Sequence, residues 1–171
     1  MANIVSATIR LLQSTSPQDI TLRDIARESG HGHRLIVEWF GGKGGLFAAV
    51  FTEIFRSLRE SGELFYANVP TRTEVRVAFQ VFNYMHMHHR EFVENVRDTF
   101  VLQALQERLV EGPGLAEDRA RLTANRLSVL TIGLALFRDF FSLSEEDAVR
   151  MMQDEFETMT GLELPASPPA T

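Results

Sequence analysis

Residues 21–40 read Thr21-Leu22-Arg23-Asp24-Ile25-Ala26-Arg27-Glu28-Ser29-Gly30-His31-Gly32-His33-Arg34-Leu35-Ile36-Val37-Glu38-Trp39-Phe40, two short helical patterns separated by a glycine-containing turn. Thr21 and Asp24 have the spacing of a capping box, which predicts that a helix begins at Leu22. Gly30 is typical of a helix end because glycine readily adopts left-handed backbone geometry. A second short helix is predicted from about His33 to Trp39. This pattern is that of a helix-turn-helix unit.

The rest of the chain is also patterned for helices. Apolar residues recur every three to four positions, and no stretch shows the sustained alternation of a strand. One helix is predicted before residue 21, from about Asn3 to Ser14, and about five longer ones follow the glycine-rich segment 41–45. Ser144 and Asp147 form a second capping-box pattern, which places the start of the last helix. The predicted fold is therefore all-α, with a three-helix helix-turn-helix domain followed by a helical bundle, about eight or nine helices in total.

Composition and charge limit the class of protein. The chain has 171 residues, 44% of them hydrophobic, and no cysteine, which excludes disulfide frameworks and thiolate metal sites. The formal net charge is −6, but residues 1–60 have seven basic and six acidic side chains, so the acidity belongs to the remainder. This distribution permits DNA binding by the N-terminal third. No apolar run approaches the roughly 20 residues of a membrane span, so a cytoplasmic protein with no membrane partner is expected.

From Ile4 to Phe47 the sequence resembles the TetR family of transcriptional regulators. The resemblance rests on the motifs at 21–30 and 36–40 and on Lys43-Gly44-Gly45-Leu46-Phe47, with the spacings between them. It implies a DNA-binding domain at 1–44, a ligand-binding and dimerisation domain at 45–164 and a frayed tail at 165–171. It also implies a ligand-responsive regulator, expected to be a repressor, which binds a palindromic double-stranded DNA operator as a homodimer through its last two helices and responds to a small-molecule effector.

The resemblance also suggests which residues contact DNA. Carried over by position, Thr21 caps the second helix near a phosphate, residues 32–39 enter the major groove, and Lys43 contacts the backbone. Arg34 is the best candidate for reading a base, because its planar guanidinium matches guanine O6 and N7. For Trp39, packing beneath the helix is favoured over reaching the duplex. The predicted DNA-binding residues are Thr21, Gly32, His33, Arg34, Val37, Trp39 and Lys43.

Four positions in or next to the recognition helix depart from the family pattern. The family usually has a small hydroxyl residue at Gly32, Thr or a similar residue at Leu35, a phosphate-binding tyrosine at Val37 and His or Tyr at Trp39. Glu38 also adds a carboxylate to the same helix. These departures leave an alternative open: a helical small-molecule- or protein-binding module with a degenerate helix-turn-helix that does not bind DNA.

The remaining candidate sites lie on the bundle helices. Apolar stripes there are usually core, but pockets between helices are also lined by apolar residues with a few polar ones. The ligand-binding candidates are Phe82, Met85, His86, His89, Phe100, Asn125, Leu130 and Leu134.

Catalytic and metal chemistry have no support in the sequence. The run His86-Met87-His88-His89 places at most two imidazoles on one helix face, so no metal site is predicted. The segment 41–45 lacks the preceding strand and the hydroxyl residue of a phosphate-binding loop, and its glycines suggest a loose joint. No nucleophile has a base at a defined spacing, so neither an enzyme nor a cofactor is predicted.

Overall fold

The computed structural model describes residues 1–97 and 100–168, and the side chains of residues 94–100 lie outside that description. Within these ranges the chain has nine α-helices, two short 3-10 helices and no strand, so the all-α prediction is confirmed. The 3-10 helices span Glu63–Phe65 and Val69–Thr71. The α-helices are α1 (Ala2–Ser14), α2 (Leu22–Ser29), α3 (His33–Phe40), α4 (Lys43–Glu60), α5 (Thr73–His88), α6 (Arg90–Arg97), α7 (Phe100–Glu111), α8 (Glu117–Phe137) and α9 (Glu145–Thr160).

The two predicted capping boxes are confirmed. The Asp24 amide donates to the Thr21 hydroxyl oxygen at 3.2 Å, and the Thr21 amide donates to the Asp24 carboxylate at 3.0 Å. Ser144 and Asp147 repeat this exchange at the start of α9, at 3.0 and 2.9 Å. Each box satisfies backbone donors that the first helical turn leaves without partners. The boundaries of α2 and α9 are therefore determined locally by the sequence.

The glycine-rich segment differs from the loose joint predicted for it. α4 begins at Lys43, so Gly44 and Gly45 lie in its first turn rather than in a linker. A Cβ atom on Gly45 would overlap the carbonyl oxygen of Phe40, and one on Gly44 would lie 2.7 Å from the ring of Phe92. The two glycines therefore permit close packing, and the turn between α3 and α4 consists of only Gly41 and Gly42, both with positive φ.

The chain divides into two compact units. Unit 1 comprises Met1–Arg56 and Val77–Asp98, and unit 2 comprises Ser57–Arg76 and Thr99–Thr171. The boundary predicted near residue 44 lies inside unit 1. The difference arises because α4 and α5 each contribute one part to unit 1 and another to unit 2.

Unit 1 contains the three N-terminal helices and the apolar residues that hold them. α1 packs on α2, and α2 packs on α3. The side chains of Ile4, Ile25 and Ile36, one from each of these helices, are fully buried. Leu46 and Phe47 of α4 are also fully buried. Burial of such side chains stabilises a fold by about 1.5–3 kcal/mol each, which fixes the orientation of the short helices α2 and α3.

Unit 2 is built around α8, which packs against α7 and α9. Leu127 and Leu134 of α8 share a core cluster with Met152 of α9. The chain after α9 packs against this unit, since the carbonyls of Pro165 and Ala166 accept backbone hydrogen bonds at 2.9 Å from the amides of residues 67 and 68. The tail predicted to fray from residue 165 is therefore held at its start, and residues 169–171 lie outside the described residues.

In the described part of the chain, no single helix is both long enough and apolar enough to cross a membrane. α3 and α4 reach that length and composition only as a pair, and the pair is bent by 71°.

Candidate nucleic-acid interface

Most residues of α3 are exposed, and the helix is anchored by one fully buried side chain. Ile36 is its fully buried side chain, and Leu35 and Phe40 are half-buried. Val37 is 46% exposed and Trp39 is 39% exposed. The other exposed residues of the helix are His33, Arg34 and Glu38. The sequence favoured packing of Trp39 beneath the helix, whereas its side chain is among the exposed ones of α3.

Some arginines of α1, α2 and α3 form ion pairs with carboxylates, and others do not. Arg27 contacts Asp24 at 2.8 Å, and Arg10 of α1 contacts Glu28 at 3.1 Å. Among the described side chains, those of residues 1–93 and 101–168, Arg34 forms no ion pair, and its exposed guanidinium keeps its donors for an external acceptor. Arg23, near the start of α2, is similarly exposed and outside these ion pairs. Sequence reasoning did not select Arg23, although its place next to a capped helix start was a usable signal.

Thr21 and Gly32, both predicted DNA contacts, occupy the N-cap positions of α2 and α3. The Thr21 hydroxyl is engaged with Asp24, to which it also donates at 2.6 Å. These hydrogen bonds, first from the side chain and then from the backbone of Thr21, hold the pKa of Asp24 below its ordinary value of 3.8. Gly32 has no side chain and leaves the start of α3 without a side-chain cap. Gly32 therefore directly precedes the exposed face of α3, whereas Thr21 acts first as the cap of α2.

Lys43 lies in the first turn of α4 with its ammonium group over two aromatic rings. Its Nζ is 4.7 Å from the ring centroid of Tyr84 and 5.5 Å from that of Phe47, distances typical of cation–π contacts. Burial lowers the pKa of Lys43 from 10.5, and the charge of Asp19 acts in the opposite direction. Lys43 is thus a partly desolvated cation at a fixed position, which the sequence alone did not indicate.

The histidine-rich end of α5 lies next to this lysine in unit 1. The ring of Tyr84 is 4.8 Å from that of His88 and 5.7 Å from that of His89. His89 also approaches Glu91, with 3.5 Å between Nδ1 and Oε1. His86 and His88 are exposed. Nowhere in the described ranges do three or more His, Cys, Asp or Glu side chains form a group that could hold a metal ion.

The ligand-binding candidates are distributed over both units. In unit 1, Met85 is fully buried and Phe82 packs on Phe51 with ring centroids 5.6 Å apart, whereas the neighbouring His86 is exposed. In unit 2, Leu134 is buried in the α8–α9 core. The side chain of Phe100 lies outside the described residues.

The two remaining candidates, Asn125 and Leu130, line an open groove on α8 and α9 with a volume of about 420 Å³. Its other lining residues are Leu122, Arg126, Val129 and Glu155. Arg126 and Glu155 contact each other at 2.8 Å. The groove is a surface feature of unit 2 that combines apolar side chains with one ion pair.

Apolar side chains continue along the outside of α8 and the turn that follows it. Val129 is 70% exposed and Phe140 is 80% exposed. The others are Leu122, Phe137, Phe141 and, on α9, Met151. By contrast, Met152 of α9 is buried, and Val149 and Phe156 pack against the core of unit 2, so these three side chains contribute to the chain's own core.

Comparison with known proteins finds similarity in structure. No protein-family model matches the sequence, and no curated protein matches it at a significant level. A candidate TetR-family transcriptional regulator from Rhodococcus sp. superposes with a TM-score of 0.71 at 16% identity, covering 94% of this chain and 100% of its own. The TetR family repressor AlkX from Dietzia sp., implicated in n-alkane biodegradation, gives a TM-score of 0.52 at 16% identity, covering 94% and 95%.

A further TetR transcriptional regulator from Rhodococcus sp. gives a TM-score of 0.64 at 14% identity, covering 92% of this chain and 93% of its own. These superpositions extend through both units rather than the helix-turn-helix alone, since each covers more than nine-tenths of the chain. The chain therefore has the fold of the TetR-family transcriptional regulators.

Proposed function

We propose that this protein is a ligand-responsive transcriptional regulator, a repressor that binds a palindromic operator as a homodimer. The observation that carries the proposal is the exposed face of α3. This eight-residue helix is held in place by Ile36 and directs Arg34, with its unpaired guanidinium, away from the core. A short helix anchored on one side and exposing an arginine on the other suits insertion into the major groove, which is wide enough for an α-helix.

The side chains on and near α3 are suited by their chemistry to different contacts with DNA. Arg34 donates to guanine O6 and N7, and Val37 makes an apolar contact with a thymine methyl group. Arg23 and Lys43 bind phosphates on either side of the recognition helix. Thr21 contributes through its capping box, which holds the start of α2 in place.

Homodimerisation is supported by the exposed apolar face of α8 and α9. Soluble monomers rarely leave a large continuous apolar patch exposed. A second copy of the chain would cover Val129, Phe137 and Met151, and a two-fold interface is self-complementary. A symmetric dimer also matches a palindromic operator, whose half-sites lie one helical turn or a multiple of it apart.

The response to a small-molecule effector follows from differential binding. A ligand that binds better to the conformation with wrongly spaced recognition helices lowers operator affinity by that difference. Release of DNA therefore requires only that the ligand binds. No chemical reaction of the ligand is needed, as expected of a regulator.

The test is retention of DNA from the region upstream of the protein's own gene, measured by gel shift against a scrambled duplex. The wild type is expected to retain the upstream fragment preferentially, and the variant carrying Arg34→Ala and Lys43→Ala to lose this preference. If wild type and variant bind both duplexes equally poorly at low salt, the regulator proposal fails. The non-DNA-binding module then becomes the better description.

A further inference from the structure

The histidines of this protein are concentrated in one of its two compact units. All five (His31, His33, His86, His88 and His89) belong to unit 1, and none belongs to unit 2. Unit 1 has eight Lys or Arg and eight Asp or Glu residues, so its formal charge is zero with neutral histidines and +5 with all of them protonated. Imidazole is the side chain whose ordinary charge change falls between pH 5 and 8. Protonation of imidazoles is therefore the change that would make the unit containing α3 cationic.

One of these histidines is exposed beside the predicted phosphate-binding lysine. The Tyr84 ring centroid is 4.7 Å from Lys43 Nζ and 4.8 Å from the centroid of His88, so the two cationic groups are less than about 10 Å apart. Phosphates follow one another every 3.4 Å along the axis of each DNA strand. Two cations at this separation can contact phosphates within about three nucleotides of each other.

We propose that His88 is a proton-dependent DNA-phosphate contact next to Lys43, so that DNA affinity rises as the protein is acidified. The proposal rests on the proposed DNA-binding function. The shared ring of Tyr84 stabilises a cation on either neighbour. Two cations this close repel each other in the free protein, and the phosphates of a bound duplex relieve the repulsion. DNA binding and protonation of His88 therefore favour each other, as thermodynamic linkage requires.

The other charged groups around His88 support this assignment. Lys43 faces the Tyr84 ring from α4, with Asp19 near enough to interact with that lysine. Glu91 of α6 approaches His89 at 3.5 Å, so this carboxylate partly neutralises His89 when that ring is charged. Arg90, which follows His89, is exposed and adds a permanent positive charge. Glu91, the carboxylate that these contacts place at the end of α5, is therefore engaged with His89. The exposed His88 remains available to an external anion.

The direction of the pH effect follows from the charged form. The additional contact requires a protonated imidazole and is absent when the ring is neutral. Each phosphate neutralised adds about 0.9 to the slope of log affinity against log salt. The proposal therefore predicts a steeper salt dependence at about pH 6 than at about pH 8, on specific and non-specific duplexes alike.

The experiment is fluorescence anisotropy of the full chain on two labelled duplexes of about 30 base pairs, long enough for two half-sites one turn apart. One duplex comes from the region upstream of the gene, and the other is scrambled. We expect the wild type to bind both several-fold more tightly at about pH 6 than at about pH 8. His88→Gln should reduce this difference and lower the salt slope at about pH 6 by about 1 per subunit, leaving only the part contributed by other imidazoles such as the exposed His33 of α3. His88→Lys should bind tightly at both pH values.

His86→Gln is the matched control. His86 is also exposed on α5, but it lies about 200° around the helix axis from His88. This variant should keep the pH dependence of the wild type. If His88→Gln keeps it as well while the wild type binds DNA, the role of His88 is overturned and the regulator proposal stands. If the wild type binds neither duplex at either pH, both proposals are overturned.

Discussion

Arg34 and Lys43 are both cations of unit 1, but their surroundings fit them for different contacts. Arg34 is exposed on α3, and its fork of donors matches a base edge. Lys43 is fixed over Tyr84 and Phe47, where a compact ammonium suits a single phosphate. The position of Lys43 was predictable from the motif at 43–47. Its aromatic support was not, because Tyr84 is distant in sequence and no local pattern links the two residues.

This difference predicts different effects of truncation. Arg34→Ala should cost about 1–3 kcal/mol of binding free energy on the preferred operator and relax specificity at one base position. Lys43→Ala should weaken binding to every duplex and flatten the salt dependence by about one phosphate contact. Competition binding with a set of single-base operator variants separates the two. An equal loss on all duplexes for Arg34→Ala would reassign Arg34 to a phosphate.

Helix starts were the features that the sequence predicted best. Capping boxes are complete within four residues, so Thr21 with Asp24 and Ser144 with Asp147 required no knowledge of the rest of the chain. The first turn of α4 was predicted wrongly, as a loose joint, because glycine-rich sequence is the same in a flexible linker and at a close contact. What decides between them is the Phe40 carbonyl and the Phe92 ring, which only the folded chain brings close.

The capping box of α9 predicts a pH-dependent contribution to stability. Hydrogen bonds from the side chain and then the backbone of Ser144 hold the pKa of Asp147 below 3.8. A carboxyl whose pKa is lower in the folded state stabilises the fold above its unfolded pKa, and this contribution disappears as the pH falls through the folded value. Asp147→Asn should therefore lower the denaturation midpoint in urea near pH 7 and have no effect well below pH 3.8. An effect of equal size at both pH values would contradict this account.

The glycine at position 45 predicts an unusual response to alanine. In an exposed helix interior, Gly→Ala stabilises by roughly 1 kcal/mol. At Gly45 the added methyl group would overlap the Phe40 carbonyl. Gly45→Ala should therefore destabilise the protein, by about 1–3 kcal/mol. Gly32→Ser is the control, because Gly32 has open space around it and gains a helix cap, which is worth a few tenths of a kcal/mol. Urea denaturation measures both, and a stabilised Gly45→Ala variant would refute the close contact.

At the scale of the whole molecule, apolar periodicity predicted helices well but could not separate core from interface. Met152 and Val129 both fit amphipathic helices, yet Met152 is buried against α8 and Val129 is 70% exposed. The same spacing of apolar residues serves either purpose, because a helix buries an apolar stripe equally well against its own chain or against a second copy. Local sequence patterns could not predict the division into two units either, because α4 and α5 each extend into both units.

The exposed face of α8 gives the prediction that tests the assembly. Val129→Glu should leave the isolated subunit folded, because substitutions at exposed positions usually change stability by less than about 0.5 kcal/mol. In a two-fold interface the same change buries two unpaired carboxylates, so the dimer dissociation constant should rise by at least about 100-fold. Met87→Glu is a matched control, since Met87 is 67% exposed but belongs to α5 in unit 1. Sedimentation should show a dimer for the wild type and Met87→Glu and a monomer for Val129→Glu. A monomeric wild type at micromolar concentration would refute homodimerisation, whereas a dimeric Val129→Glu variant would place the dimer contact away from the apolar face of α8 and α9.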